Sequence, residues 1–200
     1  SKEFQVINLI NDYRKRGHLF TKTNPVRERR VYSPKLEIKN YGLDQKDLNT
    51  VFEAGREVGL GPSSLSNIIT HLNLVYCQSI GVEYMYIRDQ IERDWIKKFI
   101  HKNNNHASFN NIQKKEILKD LNEAVSFENF IARKYVGQKR FSLEGAESLI
   151  PSLHHGIQVG AGLGVSEFVF GMAHRGRLNI LANIFGKPFE GSNGSTICFQ

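Results

Sequence analysis

The sequence predicts a mostly helical domain over residues 1–136 that leads into the beginning of an α/β domain over residues 137–200, the latter incomplete. Two observations carry this. Before Gly137 the apolar residues recur at three- and four-residue steps, the period of one helix face, with little of the alternation of a half-buried strand. After it the pattern changes to helix, Gly-rich turn, short apolar run and helix, the grammar of a parallel-sheet domain. The composition agrees: 200 residues, 40% hydrophobic and 24% charged, describe a globular chain of one or two domains rather than a disordered one.

Val6, Leu9, Ile10 and Tyr13 form the first stripe, ended by Gly17. A loop with Pro25, Pro34 and the cations Arg27, Arg29 and Arg30 follows, and Asp44 is expected to cap a short helix carrying Leu48, Val51 and Phe52. Pro62, Ser63 and Ser64 open the clearest helix, with Leu65, Ile68, Ile69, Leu72 and Val75 or Tyr76 on one face. Residues 82–87 alternate like a short strand. Asp89 then caps a helix expected to bury Ile91, Trp95 and Phe99. After the 103–105 asparagine loop come two helices. One presents Ile112, Ile117 or Leu118, and Leu121; the other begins after Ser126 with Phe127, Phe130 and Ile131 and closes at Gly137.

In the second part, residues 144–156 read as helical and Gly160, Gly162 and Gly164 as a turn. Residues 167–170 fit a buried parallel strand and residues 177–185 the helix after it. The glycines precede that strand rather than follow it, which is the wrong order for a dinucleotide-binding fingerprint. One strand and its helix do not make a sheet, so the chain reads as the front piece of a longer protein, and residues 191–200 complete no element.

Several function classes fall away. No apolar run approaches the ~18 residues of a membrane span, and the N-terminus has no secretory core. Cys77 and Cys198 are the only cysteines, far apart and in no C-x-x-C pattern, which argues against a disulfide framework or a zinc site and suits a reducing compartment. The formal charge of +7 favours an anionic partner without choosing among small anions, nucleic acid and acidic protein. The cations Arg14, Lys15 and Arg16, and those of the 27–30 loop, read as a solvated face before a nucleic-acid surface. His154 and His155 lack the spacing of a helical metal pair.

Chemistry is expected where the lone strand turns into its helix. Ligands of open α/β sheets bind beyond the strands' carboxyl ends, where helix N-termini present free N–H groups. His174 and Arg175 stand at that place. Arginine offers a permanently charged planar fork for phosphate or carboxylate, and histidine can donate, accept or carry charge near neutrality. The competing reading is structural: Arg175 and Arg177 pair with acids on neighbouring helices, and His174 is a buried, satisfied histidine. Residues 137–145, with Lys139, Arg140 and Phe141 ahead of Ser142, either feed the same pocket or form a solvated basic turn with Phe141 buried.

Two long motifs then carry a resemblance. The stretch FENFIARKYVGQKRFSLEGAESLIP at 127–151 and GMAHRGRLNILAN at 171–183 closely resemble the thiamine-dependent decarboxylating component of the 2-oxoglutarate dehydrogenase complex. Upstream, YRKRGHL at 13–19, GVEYM at 81–85 and DWI at 94–96 resemble further segments of that family, so the likeness covers about residues 4 to 188.

The resemblance implies a large homodimeric enzyme in which a helical N-terminal domain precedes a thiamine-diphosphate-binding α/β domain. It implies oxidative decarboxylation of 2-oxoglutarate and transfer of the succinyl group to the lipoyl arm of the dihydrolipoyl succinyltransferase component, in the citric acid cycle, with dihydrolipoyl dehydrogenase as the third component. By motif position, His174 is the catalytic candidate and lines the substrate pocket with Phe141, while Arg175 contacts thiamine diphosphate. Lys139 or Arg140 adds potential for a dianion. The family's G-D-G…N motif for Mg2+ is absent, so no metal ligand is assigned here and the fragment alone is expected to be inactive. The family points to bacterial cytoplasm or the mitochondrial matrix, with no secretion, membrane or nucleic acid. The alternatives are a 2-oxoadipate dehydrogenase, since one methylene is little for a pocket to reject, and a basic helical interaction module.

Overall fold

A computed structural model describes residues 1–24, 26–27 and 34–187. Pro25, Arg29, Arg30, Cys198 and the 191–200 segment named above lie outside the described residues. The chain forms two compact units, Ser1–Ser108 and Phe109–Gln200.

In the first unit, helix α1 (Lys2–Arg16) buries the stripe of Val6, Leu9, Ile10 and Tyr13. Helix α2 (Leu65–Tyr76) starts where the Ser64 hydroxyl accepts the Asn67 N–H at 3.3 Å, and it buries Leu65, Ile68, Leu72, Val75 and Tyr76. Asp44 does cap, but only a 3-10 turn (Gln45–Asn49), through a reciprocal capping box with Asp47. Val51 and Phe52 leave that turn as strand β1 and pair antiparallel with β2 (Ser63–Ser64), as suits β-branched and aromatic residues.

Helix α3 (Gln90–Lys102) is capped by the Asp89 carboxylate, which accepts the N–H groups of Ile91 and Glu92 at 2.7 and 3.2 Å. It corrects the expected face. Ile100 and half-buried Ile96 pack on the core, whereas Ile91, Trp95 and Phe99 are exposed, Trp95 being 64% accessible. Both stripes step by four residues and lie one residue, about 100°, apart on the helix, so period alone does not choose between them. Residues 82–87 form no strand; Tyr84 enters the core from a turn-containing loop.

The second unit holds α4 (Asn111–Lys134), α5 (Leu149–Gly162) and α6 (Arg177–Asn183). Two helices were expected where α4 is one, because no glycine or proline interrupts it. Its start is a capping box between Asn110 and Gln113. Helix α5 begins five residues beyond the expected Glu144, with Pro151 in its first turn where a missing N–H costs nothing. The 144–148 residues form turns. The helix runs on past the expected end at Gly156 and includes Gly160 and Gly162, where a turn was expected; Leu163 caps it, and Gly164 takes the left-handed φ of 90° that follows. Ala124, Leu143, Ile150 and Ile180 make this unit's core.

The expected parallel strand at 167–170 is not formed. Among the described residues the only sheet is β1–β2, and Val169 is 96% exposed. A strand's backbone groups need neighbouring strands, and among the described residues none is present beside this segment. Helix α4 groups with the residues after it, although the sequence reading places it before the 136/137 division.

Candidate functional site

Phe141, His174 and Arg175 share one shallow depression of the second unit, about 420 Å³, with Ser142 and Glu144. The sequence separates the two sides of this corner by some thirty residues; folding joins them through a backbone bond. The Gly176 N–H donates to the Phe141 carbonyl at 2.7 Å. Phe141 itself takes the left-handed conformation, φ 47°, which is uncommon for a bulky residue and is held here by its surroundings. Its ring lies 4.3 Å from that of His174, centroid to centroid, tilted by 48°. Gly176, at φ 72°, has no space for a side chain, since a Cβ would lie 2.5 Å from Leu143 Cδ1.

The competing structural reading of the cations is not what is found. Arg175 donates through Nη2 to the Glu144 carbonyl at 3.0 Å, and Arg177 donates to the carbonyls of Ala173 and Met172. These acceptors are neutral backbone, and Arg175 and His174 are exposed rather than buried. Because α6 has only seven residues, the attraction for an anion rests on the guanidinium more than on a helix dipole. Arg140 is different: its Nη1 donates to the Glu128 carbonyl at 3.2 Å and lies 3.8 Å from Glu128 Oε2, so its charge is engaged, while Lys139 is exposed.

Glu128 is the residue that sequence reasoning missed. It is 4% exposed, yet its carboxylate accepts from the Ser142 hydroxyl at 2.8 Å, the Leu143 N–H at 3.1 Å and Asn179 Nδ2 at 3.0 Å. Asn179, fully buried on α6, also donates to the Ala124 carbonyl at 3.0 Å. The signal was present in the spacing. Ala124, Phe127, Glu128 and Ile131 are all buried on one face of α4, so the acid occupies a core position of an apolar stripe.

Other candidates recede. Arg14 is 6% exposed and donates to Asn11 and to the Glu57 carbonyl, and Arg16 pairs with Asp12, which leaves Lys15 as the exposed cation of that helix trio. His154 Nδ1 lies 2.9 Å from Asp120 Oδ2, tying α5 to α4. Among the described residues no group of three His, Cys, Asp or Glu side chains is placed to hold a metal ion, and no helix is long and apolar enough to cross a membrane. Burial pushes the Cys77 thiol up to about 11, away from reactive thiolate chemistry.

Compared with known proteins, the chain matches no family model. It is 41% identical over 186 residues to the 2-oxoglutarate dehydrogenase E1 component of Brucella anthropi, covering 92% of this chain and 19% of that protein. It is 42% identical over 192 residues to the 2-oxoglutarate dehydrogenase E1/E2 component of Corynebacterium glutamicum, covering 94% and 16%. Against the multifunctional 2-oxoglutarate metabolism enzyme of Mycolicibacterium vanbaalenii the identity is 43% over 192 residues, covering 94% and 15%. The chain thus spans less than a fifth of the length of these curated relatives.

Proposed function

From a chain homologous over 92–94% of its length to 2-oxoglutarate dehydrogenase E1 components, we propose that the corner of Phe141, His174 and Arg175 is part of an active site that decarboxylates 2-oxoglutarate. The observation that carries this is the joining of two sequence-distant segments so that an aromatic ring, an imidazole and a guanidinium face one depression.

The cofactor in this reading is thiamine diphosphate, which supplies a nucleophilic carbon and an electron sink for the bond to the departing carboxylate. Arg175 fits a diphosphate oxygen: its guanidinium has five N–H donors, and the Glu144 carbonyl at 3.0 Å is a neutral partner that leaves the charge uncompensated. The Glu144 carboxylate borders the same depression but is exposed, where its repulsion is screened. His174 donates a hydrogen bond from its imidazole to an oxygen of the substrate, or holds the proton that oxygen takes up. Phe141 packs against that imidazole on one side and orients it. Lys139, exposed nearby in sequence, adds potential for a dicarboxylate.

The same reading makes the protein a homodimer working with dihydrolipoyl succinyltransferase and dihydrolipoyl dehydrogenase in the citric acid cycle, in the bacterial cytoplasm or mitochondrial matrix, with Mg2+ held by residues outside these 200. The test is carbon dioxide release by the polypeptide at its relatives' length, supplied with thiamine diphosphate and Mg2+. Turnover of 2-oxoglutarate in preference to 2-oxoadipate supports the proposal; equal or better use of 2-oxoadipate, or turnover of neither, contradicts it.

A further inference from the structure

The depression is built from two pieces of chain with no covalent reason to keep a fixed spacing. One is the 140–143 segment, which carries Phe141; the other is the 174–179 segment, which carries His174 and Arg175 and enters α6. Glu128, on a third element, reaches both. Its Oε2 accepts from Ser142 and its Oε1 from the Leu143 N–H, the two residues that follow Phe141. The same Oε1 accepts from Asn179, five residues after His174.

We infer that Glu128 is a positioning residue for the 2-oxoglutarate site, a latch whose two oxygens fix Phe141 against the His174 imidazole from behind. This rests on the function proposed above and deepens it. The latch is rigid because a carboxylate at 4% exposure with three donors has no water to exchange for them. Arg140, 3.8 Å from Oε2, sets a positive charge beside the buried carboxylate. The strain is accounted for in the same way. Phe141 stays at φ 47° because its carbonyl is bound by Gly176 while the next two residues are bound by Glu128. Asp120 offers the internal comparison: a mostly buried acid of the same helix whose carboxylate pairs with His154 of α5.

The experiment uses the polypeptide at its relatives' length, with Glu128→Gln, the shorter Glu128→Asp, and Asp120→Asn as the control. One readout does not depend on activity. The His174 ring resonance, identified by its loss in His174→Gln, feels the ring current of Phe141, and Phe141→Leu gives its position when that ring is gone. Glu128→Gln is expected to move the resonance toward that position, Glu128→Asp less far, and Asp120→Asn not at all. The second readout is kinetic. A misplacement of about 1 Å can cost about a hundredfold, so Glu128→Gln is expected to lower kcat/KM for 2-oxoglutarate by about ten- to a hundredfold with little change in thiamine diphosphate affinity, while Asp120→Asn lowers the melting temperature and leaves kcat/KM unchanged. A His174 resonance unmoved in both Glu128 variants overturns the latch, as does an unchanged kcat/KM in the folded variants of an active enzyme. A wild-type protein that does not decarboxylate 2-oxoglutarate, with the resonance still moved by Glu128→Gln, supports the latch and refutes the functional reading alone.

Discussion

Phe141 and His174, thirty-three positions apart in the numbering, present their rings to each other at 4.3 Å, and Phe141 does so from a left-handed backbone at φ 47°. Relieving that conformation separates backbone from ring. Phe141→Gly is expected to recover about 1 kcal/mol of backbone strain while losing the ring's contacts, so the melting temperature of the chain changes little. Activity of the longer polypeptide is expected to fall at least tenfold. A large loss of stability would show that the ring supports the fold rather than the site.

Gly176→Ala acts in the opposite sense. The new methyl meets Leu143 Cδ1 at 2.5 Å and Cβ at 3.4 Å, and φ is 72°. Leu143 is itself in the core and cannot swing aside freely. Left-handed backbone alone costs about 1–2 kcal/mol, and displacing Leu143 adds to it, so chemical denaturation is expected to show a loss of at least about 2 kcal/mol.

The first unit carries a pH dependence. His71 Nε2 lies 2.9 Å from His101 Nδ1, and His101 Nε2 lies 2.9 Å from the Tyr76 hydroxyl. Burial, with the neighbouring His71, Arg14 and Lys97, pushes His101 down to about 3 from its ordinary 6.5; burial also lowers His71. Both are favoured neutral in the fold, so the unfolded chain binds more protons below the ordinary value. Their contribution to stability is complete above pH 6.5 and declines as pH falls toward about 3. The denaturant midpoint of the chain is expected to fall between about pH 7 and about pH 5, and His101→Gln to flatten that slope. An unaltered slope would place the titration elsewhere.

Helix α3 gives a contrast between two apolar residues. Trp95 stacks on Phe99 at 5.3 Å in the open, and Ile100 is 6% exposed in the core. Trp95→Ala is expected to change stability of the 200-residue chain by less than about 0.5 kcal/mol, and Ile100→Ala to cost about 2–5 kcal/mol. Equal losses would mean that the Trp95 face is covered.

These contrasts show what was legible. The stripes of α1 and α2 and the caps Ser64 and Asp89 could be read because local spacing and local chemistry define them; His174 and Arg175 were legible only as a candidate anion corner, and Phe141 was set beside them by the resemblance alone. The face of α3 could not, since two adjacent stripes satisfy one helical period and only tertiary neighbours decide. Nor could the state of residues 167–170, whose strand character depends on partners not found among the described residues. Glu128 was passed over because an acid inside a helix is usually solvated; its place on the Ala124–Ile131 face was the cue.

If Arg175 holds the cofactor and His174 the substrate, as proposed, paired variants of the longer polypeptide separate the two roles. Thiamine diphosphate affinity, by titration, is expected to fall about tenfold or more in Arg175→Ala, the loss of one charge-assisted bond of about 1.5–3 kcal/mol, and to hold in His174→Ala. Decarboxylation of 2-oxoglutarate at saturating cofactor is expected to collapse in His174→Ala. Wild-type affinity and turnover in both variants would contradict the account.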